Sequence, residues 1–274
     1  MEDRYQSTES KDDSNVCYRK INFSNYESPA AQYGIQEYQL SLNELKIDMN
    51  ALYNLNWKLG RKGAWLKKGM TDQQVDILRR EWLQRSEEKG WITPHGIVGL
   101  FPCQSIENTL IIYNPIDVQK EIVRIDTDTL KGIDTCDFFS IARFFLSVDT
   151  GKIDTVGFLI STAGVFSRSA INEYKSKHDQ TSAEMIQGLA DRVAEDMANY
   201  LQNRLIMMAN LTVETTPVTR YQPGYPGLDI KYNQLIYQIL QASRIQIMLN
   251  ERFEFIPEST TSALICFHPD ATYG

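Results

Sequence analysis

The residues whose types and spacing could do chemistry lie in the last third of the chain. Arg220-Tyr-Gln-Pro-Gly-Tyr-Pro226 sets a guanidinium at one end of a stretch stiffened by two prolines and a glycine, with an aromatic ring near the other end. Proline fixes φ and glycine admits the turn, so the loop can offer backbone N–H and C=O groups at set positions while its flanks add charge and a stacking surface. Read alone, it is equally a turn leading into the helix that follows. Leu189-Ala-Asp-Arg-Val-Ala-Glu195 puts Arg192 and Glu195 three apart on one helical face, the spacing of a solvated ion pair. His268-Pro-Asp-Ala-Thr-Tyr273 reads as a strand end and a proline turn that presents Tyr273 at a sheet edge.

The familiar catalytic signatures are missing. The chain has no Gly-x-Gly-x-x-Gly, no Gly-x-x-x-x-Gly-Lys-Ser/Thr, no His-Glu-x-x-His and no Gly-x-Ser-x-Gly. Its three histidines, His95, His178 and His268, each stand alone, which favours surface or hydrogen-bonded side chains and no metal site. Cys17, Cys103, Cys136 and Cys266 are far apart without a Cys-x-x-Cys pair, so neither a zinc knuckle nor a disulfide framework is encoded, and a reducing cytoplasm fits. Twenty-eight basic against 35 acidic side chains leave a net charge of −7, the wrong sign for a protein that tracks phosphate backbones. Phe138 to Val148, the richest apolar stretch, is interrupted by Arg143 and is far shorter than the ~20 residues of a membrane span.

The elements that must position these groups follow from hydrophobic period. Val75, Leu78 and Trp82 predict a helix over 72–89, with Thr71 and Gln74 as a capping box and Gly90 as the stop. Residues 96–102, 109–113 and 121–125 read as antiparallel strands, 138–148 as a short buried helix and 155–161 as a buried strand. Met185, Leu189, Val193, Met197, Leu201 and Leu205 form an i, i+4 row on a long helix over 182–208. A helix over 233–242 and a strand over 261–267 complete the set. Strands and helices mix without βαβ alternation, which predicts an α+β fold with an antiparallel sheet. Residues 1–16 are polar, 17–45 carry no decisive pattern, and a flexible polar N-terminal segment is expected to end near 40, with one domain over 41–274.

Taken together and in order, several segments resemble the activation domain of cobalamin-dependent methionine synthase. They are Ile47-Asp48 with Trp57-Lys-Leu-Gly60, Thr93-Pro-His-Gly-Ile-Val-Gly-Leu-Phe-Pro102, Gly157, His178-Asp179, Leu189 to Glu195, Arg220-x-x-Pro-Gly-Tyr-Pro226, Asn250-Glu-Arg-Phe253 and His268 to Tyr273. The resemblance implies a curved single domain, a twisted antiparallel sheet flanked by helices, with a shallow S-adenosylmethionine site on its concave face. It carries ligand contacts onto Asp48, Arg220, Tyr273 and the backbone of Gly274, and places Arg192, Glu195, Glu214, Gly224 and Tyr225 near them.

The residue types suit that ligand. Arg220 can take its carboxylate in a fork, Asp48 or Glu214 can accept from its ammonium, and Tyr225 and Tyr273 offer flat faces and hydroxyls. By resemblance no side chain acts as a nucleophile. Cobalamin is expected on a partner module of methionine synthase, and a flavodoxin or similar reductase supplies the electron. Where the family continues Pro-Gly-Tyr-Pro with Ala-Cys-Pro, this chain has Gly227-Leu-Asp229. That change leaves open a non-enzymatic interaction protein that has lost the ligand site, and an activator of another corrinoid methyltransferase.

Overall fold

The computed structural model describes residues 19–58, 71–131 and 138–273. In chain order the elements are strand β1 (Gly34–Gln39), a short helix α1 (Met49–Ala51) that widens into a π-helical turn at Leu52–Asn56, and helix α2 (Asp72–Glu88). Strands β2 (His95–Ile106), β3 (Thr109–Tyr113), β4 (Glu121–Asp126), β5 (Leu130–Lys131), β6 (Phe138–Phe139) and β7 (Asp154–Thr162) follow. Then come helices α3 (Phe166–Ser176) and α4 (Gln180–Met208), strand β8 (Thr219–Tyr221), helix α5 (Tyr232–Ile239), and strands β9 (Met248–Leu249), β10 (Phe255–Ile256) and β11 (Thr260–Cys266).

Seven of these strands make one antiparallel sheet, six in the order β4-β3-β2-β7-β11-β8 and the seventh, β1, paired to β2 off that path. Strand β2 is long enough to serve two neighbours on one side: residues 95–100 pair with β1 and 103–106 with β3, while its other side pairs with β7. All nine residues of β7 are buried, as a central strand covered on both faces requires.

The period-2 rule sorts side chains cleanly between two cores. Val98, Leu100, Leu159, Ala263 and Ile265 point to the face covered by α4, and Ile97, Phe101, Phe158, Ile160 and Leu264 to the face covered by α5 and its neighbouring turns. The predicted row on α4 is buried from Met185 to Leu205, each such side chain contributing about 1.5–3 kcal/mol.

Two glycines permit the close approach of this helix. A Cβ on Gly96 would stand 2.4 Å from Leu201 Cδ1 and 2.7 Å from the Ile160 carbonyl oxygen. On the helix itself, Gly188 leaves room for the Trp57 ring, whose Nε1 donates to the Met185 carbonyl at 2.8 Å. The capping box of α2 is present in both halves, with Thr71 N donating to Gln74 Oε1 and Gln74 N to Thr71 Oγ1.

Two expectations need correction. The stretch 138–148 is not an α-helix: Phe138 and Phe139 pair with β5, Ile141–Phe144 coil as a 3₁₀ turn, Phe145 is extended again, and Val148 opens a second 3₁₀ turn. Apolar runs this short do not distinguish a helix from a folded strand and turn, and the aromatic residues take the β option. The N-terminal polar segment also does not run to residue 40, because Gly34–Gln39 is a strand registered against Leu100–His95.

Candidate functional site

The alternation that sends Tyr221 into the core turns Arg220 to the opposite face of β8, toward α4. There its Nη2 lies 3.4 Å from Glu195 Oε2 and its Nη1 donates to Asn199 Oδ1 at 3.2 Å. Both contacts are long for a charged pair, and Glu195 keeps 40% of its side chain exposed. The guanidinium is therefore aimed but not saturated.

The loop after β8 is locked by its own backbone. Gly224 N donates to the Leu228 carbonyl at 2.8 Å, Leu228 N to Tyr225 at 3.2 Å, and Tyr225 N to Gln222 at 3.2 Å. Gly224 has φ of +91° and Gly227 of +93°, conformations that side chains with a Cβ rarely adopt. The Gly227-Leu-Asp229 departure has a structural use: a Cβ at Gly227 would sit 2.9 Å from Leu130 Cδ1, and Asp229 Oδ1 accepts from Lys231 N at the entry to α5.

Residues 271–273 run beside β8 and are held to it by side chains. Thr219 Oγ1 donates to the Ala271 carbonyl and Tyr221 Oη to the Thr272 carbonyl, each at 2.8 Å. Tyr273 Oη accepts from Gln222 N at 3.0 Å, and its ring stands 5.1 Å from that of Tyr221. Burial pushes the Tyr273 phenol above its usual range, opposed by the Gln222 N–H and the Arg220 charge, so it remains protonated with its O–H free to donate. Tyr273 lies at the sheet edge as the sequence predicts. Tyr225, 59% exposed, presents its ring to solvent on the adjoining turn.

Asp48 reaches the same turns of α4 from another direction. Its carboxylate caps α1 by accepting from Ala51 N at 2.9 Å, and its own N–H donates to Asp196 Oδ2 at 2.8 Å. Asp196 is buried and takes Arg192 in a fork, 3.0 Å from both Nε and Nη2. The expected Arg192–Glu195 pair is thus replaced by Arg192–Asp196 and Glu195–Arg220. The i, i+4 spacing in a buried setting wins over i, i+3, and Glu195 is left for the sheet. Glu214 stands exposed in the 212–216 turn; Gly274 lies outside the described residues.

Arg220, Glu195, Tyr273, Gly224 and Tyr225 are thus gathered on one edge, and Asp48 and Arg192 are tied to the neighbouring turn of α4. Three contributors were not singled out in the sequence: Asn199, Asp196 and Gln222. The first two are legible as i+4 neighbours of Glu195 and Arg192, whereas Gln222 depends on the β8 register. Its Nε2 also donates to Thr261 Oγ1 at 3.2 Å. The arrangement is an open shelf with an anion receptor, acidic neighbours and aromatic faces, suited to a zwitterionic ligand. Among the described residues no group of His, Cys, Asp and Glu could hold a metal ion, and no helix is long and apolar enough to cross a membrane. Two grooves of about 500 Å³ each lie between residues 39–49 and the α2 region, one lined by Leu42, Leu45, Leu83, Arg80 and Glu87 and the other by Leu40, Ser41, Glu87 and Ile92.

Fold and shelf together define an α+β domain whose sheet edge, set against one long helix, gathers charged and aromatic side chains. The chain belongs to the family of vitamin B12 dependent methionine synthase activation domains, whose sequence profile matches residues 47–274. It is 21% identical over 260 residues to methionine synthase of Mycobacterium tuberculosis, an alignment covering 83% of this chain and 21% of that protein. The chain therefore spans about a fifth of the length of that curated relative. Its fold is similar to the crystal structure of the MetH reactivation domain bound to AdoHcy, with a TM-score of 0.79 and 23% identity, covering 93% of this chain and 85% of the other.

Proposed function

We propose that this chain binds S-adenosylmethionine on the β8–α4 shelf and presents it to a cobalamin carried by a methionine synthase module, supporting reductive reactivation of that cofactor. The observation that carries this reading is the loosely paired Arg220 guanidinium beside Tyr273 and the Pro-Gly-Tyr-Pro loop. Exchanging a 3.4 Å contact with a half-exposed carboxylate for a ligand carboxylate in fork geometry costs little and gains a charge-assisted pair. Tyr273 O–H is a second donor, Glu195 and the Asp48 carboxylate are acceptors for an ammonium, and Tyr225 offers a face for the adenosyl part. The backbone N–H groups of 222, 224 and 225 are already committed, so the loop contributes shape and carbonyl groups in preference to donors. AdoHcy in the similar MetH reactivation domain supports the ligand class.

Cobalamin supplies the cobalt chemistry. The residues of this chain bind, orient and leave one face of the ligand open, so the contribution to rate is one of proximity. A methyltransferase component of this kind is inert alone, and a flavodoxin or similar reductase provides the electron. The unpaired, buried Cys103 and Cys266 thiols, both pushed up by desolvation, support a reducing cytoplasmic setting.

Calorimetric titration with S-adenosylmethionine tests the assignment. Arg220→Ala is expected to weaken binding by about 1.5–3 kcal/mol, roughly 10- to 150-fold in Kd. Undiminished binding by that variant contradicts the site.

A further inference from the structure

Among the described residues the segment that carries Tyr273 is held to β8 by three hydrogen bonds that each use a side chain of one partner. The turn that leads into it, His268 to Asp270, is contacted by residues 19–33, an arm that precedes the residues matched by the family profile. The arm alternates: Arg19, Ile21 and Phe23 face inward while Lys20, Asn22 and Ser24 face out, as an extended strap laid on a surface does. Arg19 N donates to the Phe138 carbonyl at 2.6 Å, Tyr26 Oη to Asp154 at 2.8 Å, and Gln32 N to the Met208 carbonyl at 2.9 Å, so the strap is pinned at both ends and in the middle.

Between these pins it grips the turn before Tyr273. Asn22 N donates to Asp270 Oδ2 at 3.2 Å. The rings of Phe23 and Tyr26 stand 4.6 and 4.5 Å from the imidazole of His268, which is 1% exposed. His268 in turn shapes the segment: its Nδ1 accepts from Asp270 N at 3.1 Å and its carbonyl from Ala271 N at 3.0 Å. Among the described residues its Nε2 is buried with no partner at hydrogen-bond distance, where Phe23, Tyr26 and Phe144 close over the ring.

We infer that residues 19–33 act as a positioning strap, holding His268 and Asp270 so that the 271–273 segment, and with it Tyr273, stays in the geometry that receives the ligand. The inference rests on the proposed S-adenosylmethionine site for its functional consequence, but its structural content is independent of any ligand. Phe23 and Tyr26 are positioning residues that reach the shelf only through His268 and the turn.

Hydrogen exchange of the full chain, with and without S-adenosylmethionine, tests this. In Phe23→Ala and Tyr26→Ala the amides of Asp270, Ala271 and Gln222 are expected to exchange about tenfold faster or more, while those of the β2–β7 ladder keep their protection. Ligand affinity should fall about fivefold or more with no change at Arg220. Asp270→Ala, at an exposed position, removes the Asn22 bond and the charge beside His268 while leaving the ring contacts, and should move both readouts the same way by less, which keeps the test valid if an aromatic variant misfolds. Unchanged exchange over 268–273 overturns the strap, and so does faster exchange with unaltered affinity. If the unmodified chain fails to bind the ligand, the functional proposal falls, and the ligand-free exchange still decides whether the strap orders the turn.

Discussion

Arg192 and Asp196 show how one turn of α4 divides its labour. Asp196 is buried and accepts from two nitrogens of Arg192 and from Asp48 N, so its charge is matched on every side. Asp196→Asn keeps the shape but loses the charge and turns a donor toward donors. A loss of about 2 kcal/mol is expected in urea unfolding, together with weaker ligand binding through release of Asp48. Arg220→Lys probes the other half of the shelf: it keeps the charge but not the fork, and should recover only part of the affinity lost in Arg220→Ala. The candidate residues were legible because their types match a zwitterionic ligand and their order matches a family. What was not legible was pairing. Arg192 has carboxylates at i+3 and i+4, and only the packing of residue 48 against α4 shows which of them is buried.

At the scale of elements, the fit of α4 to the sheet depends on missing side chains. Gly96→Ala would push a methyl group into Leu201 and into the Ile160 carbonyl oxygen, and a backbone atom in a central strand cannot give way as a side chain can. Destabilisation of about 2–3 kcal/mol is expected by thermal or urea unfolding, against less than that for Gly224→Ala, where only φ is unfavourable and the nearest atoms lie at 3.7 Å. Long periodic elements could be read directly from the sequence: α4 begins at Gln180 in place of 182, and α2 keeps its predicted cap. The short apolar stretch at 138–148 could not, since a run that size fits either period. The strap and β1 also escaped reading, because an extended arm of polar and aromatic residues gains its order from the surface it crosses and shows little intrinsic preference of its own.

For the molecule as a whole, the buried end of the sheet under the strap sets a pH response. Burial holds the His268 imidazole below its usual range despite the opposing charges of Asp270 and Asp154, so the fold favours the neutral ring whose Nδ1 accepts from Asp270 N. That contribution is present above the unfolded value of about 6.5 and is lost as pH falls through the lower folded value. Asp154 has the opposite sign: desolvation raises it although Leu146 N, Thr155 N and Tyr26 Oη all donate to it, so its contribution is present below about 3.9 and declines as pH rises through the folded value. Thermal unfolding followed from pH 7 to 5 should therefore show a falling Tm that flattens in His268→Asn, whose side-chain oxygen can still accept from Asp270 N while carrying no titrating group. An equal slope in the variant would remove His268 as the cause. The account as a whole turns on where the ligand sits. A crystal structure with S-adenosylmethionine is predicted to show the amino-acid carboxylate within hydrogen-bond distance of Arg220, with Glu195 displaced and the methyl group facing solvent. A ligand seated instead in the groove beside Leu42 and Glu87, with Arg220 still on Glu195, would contradict it.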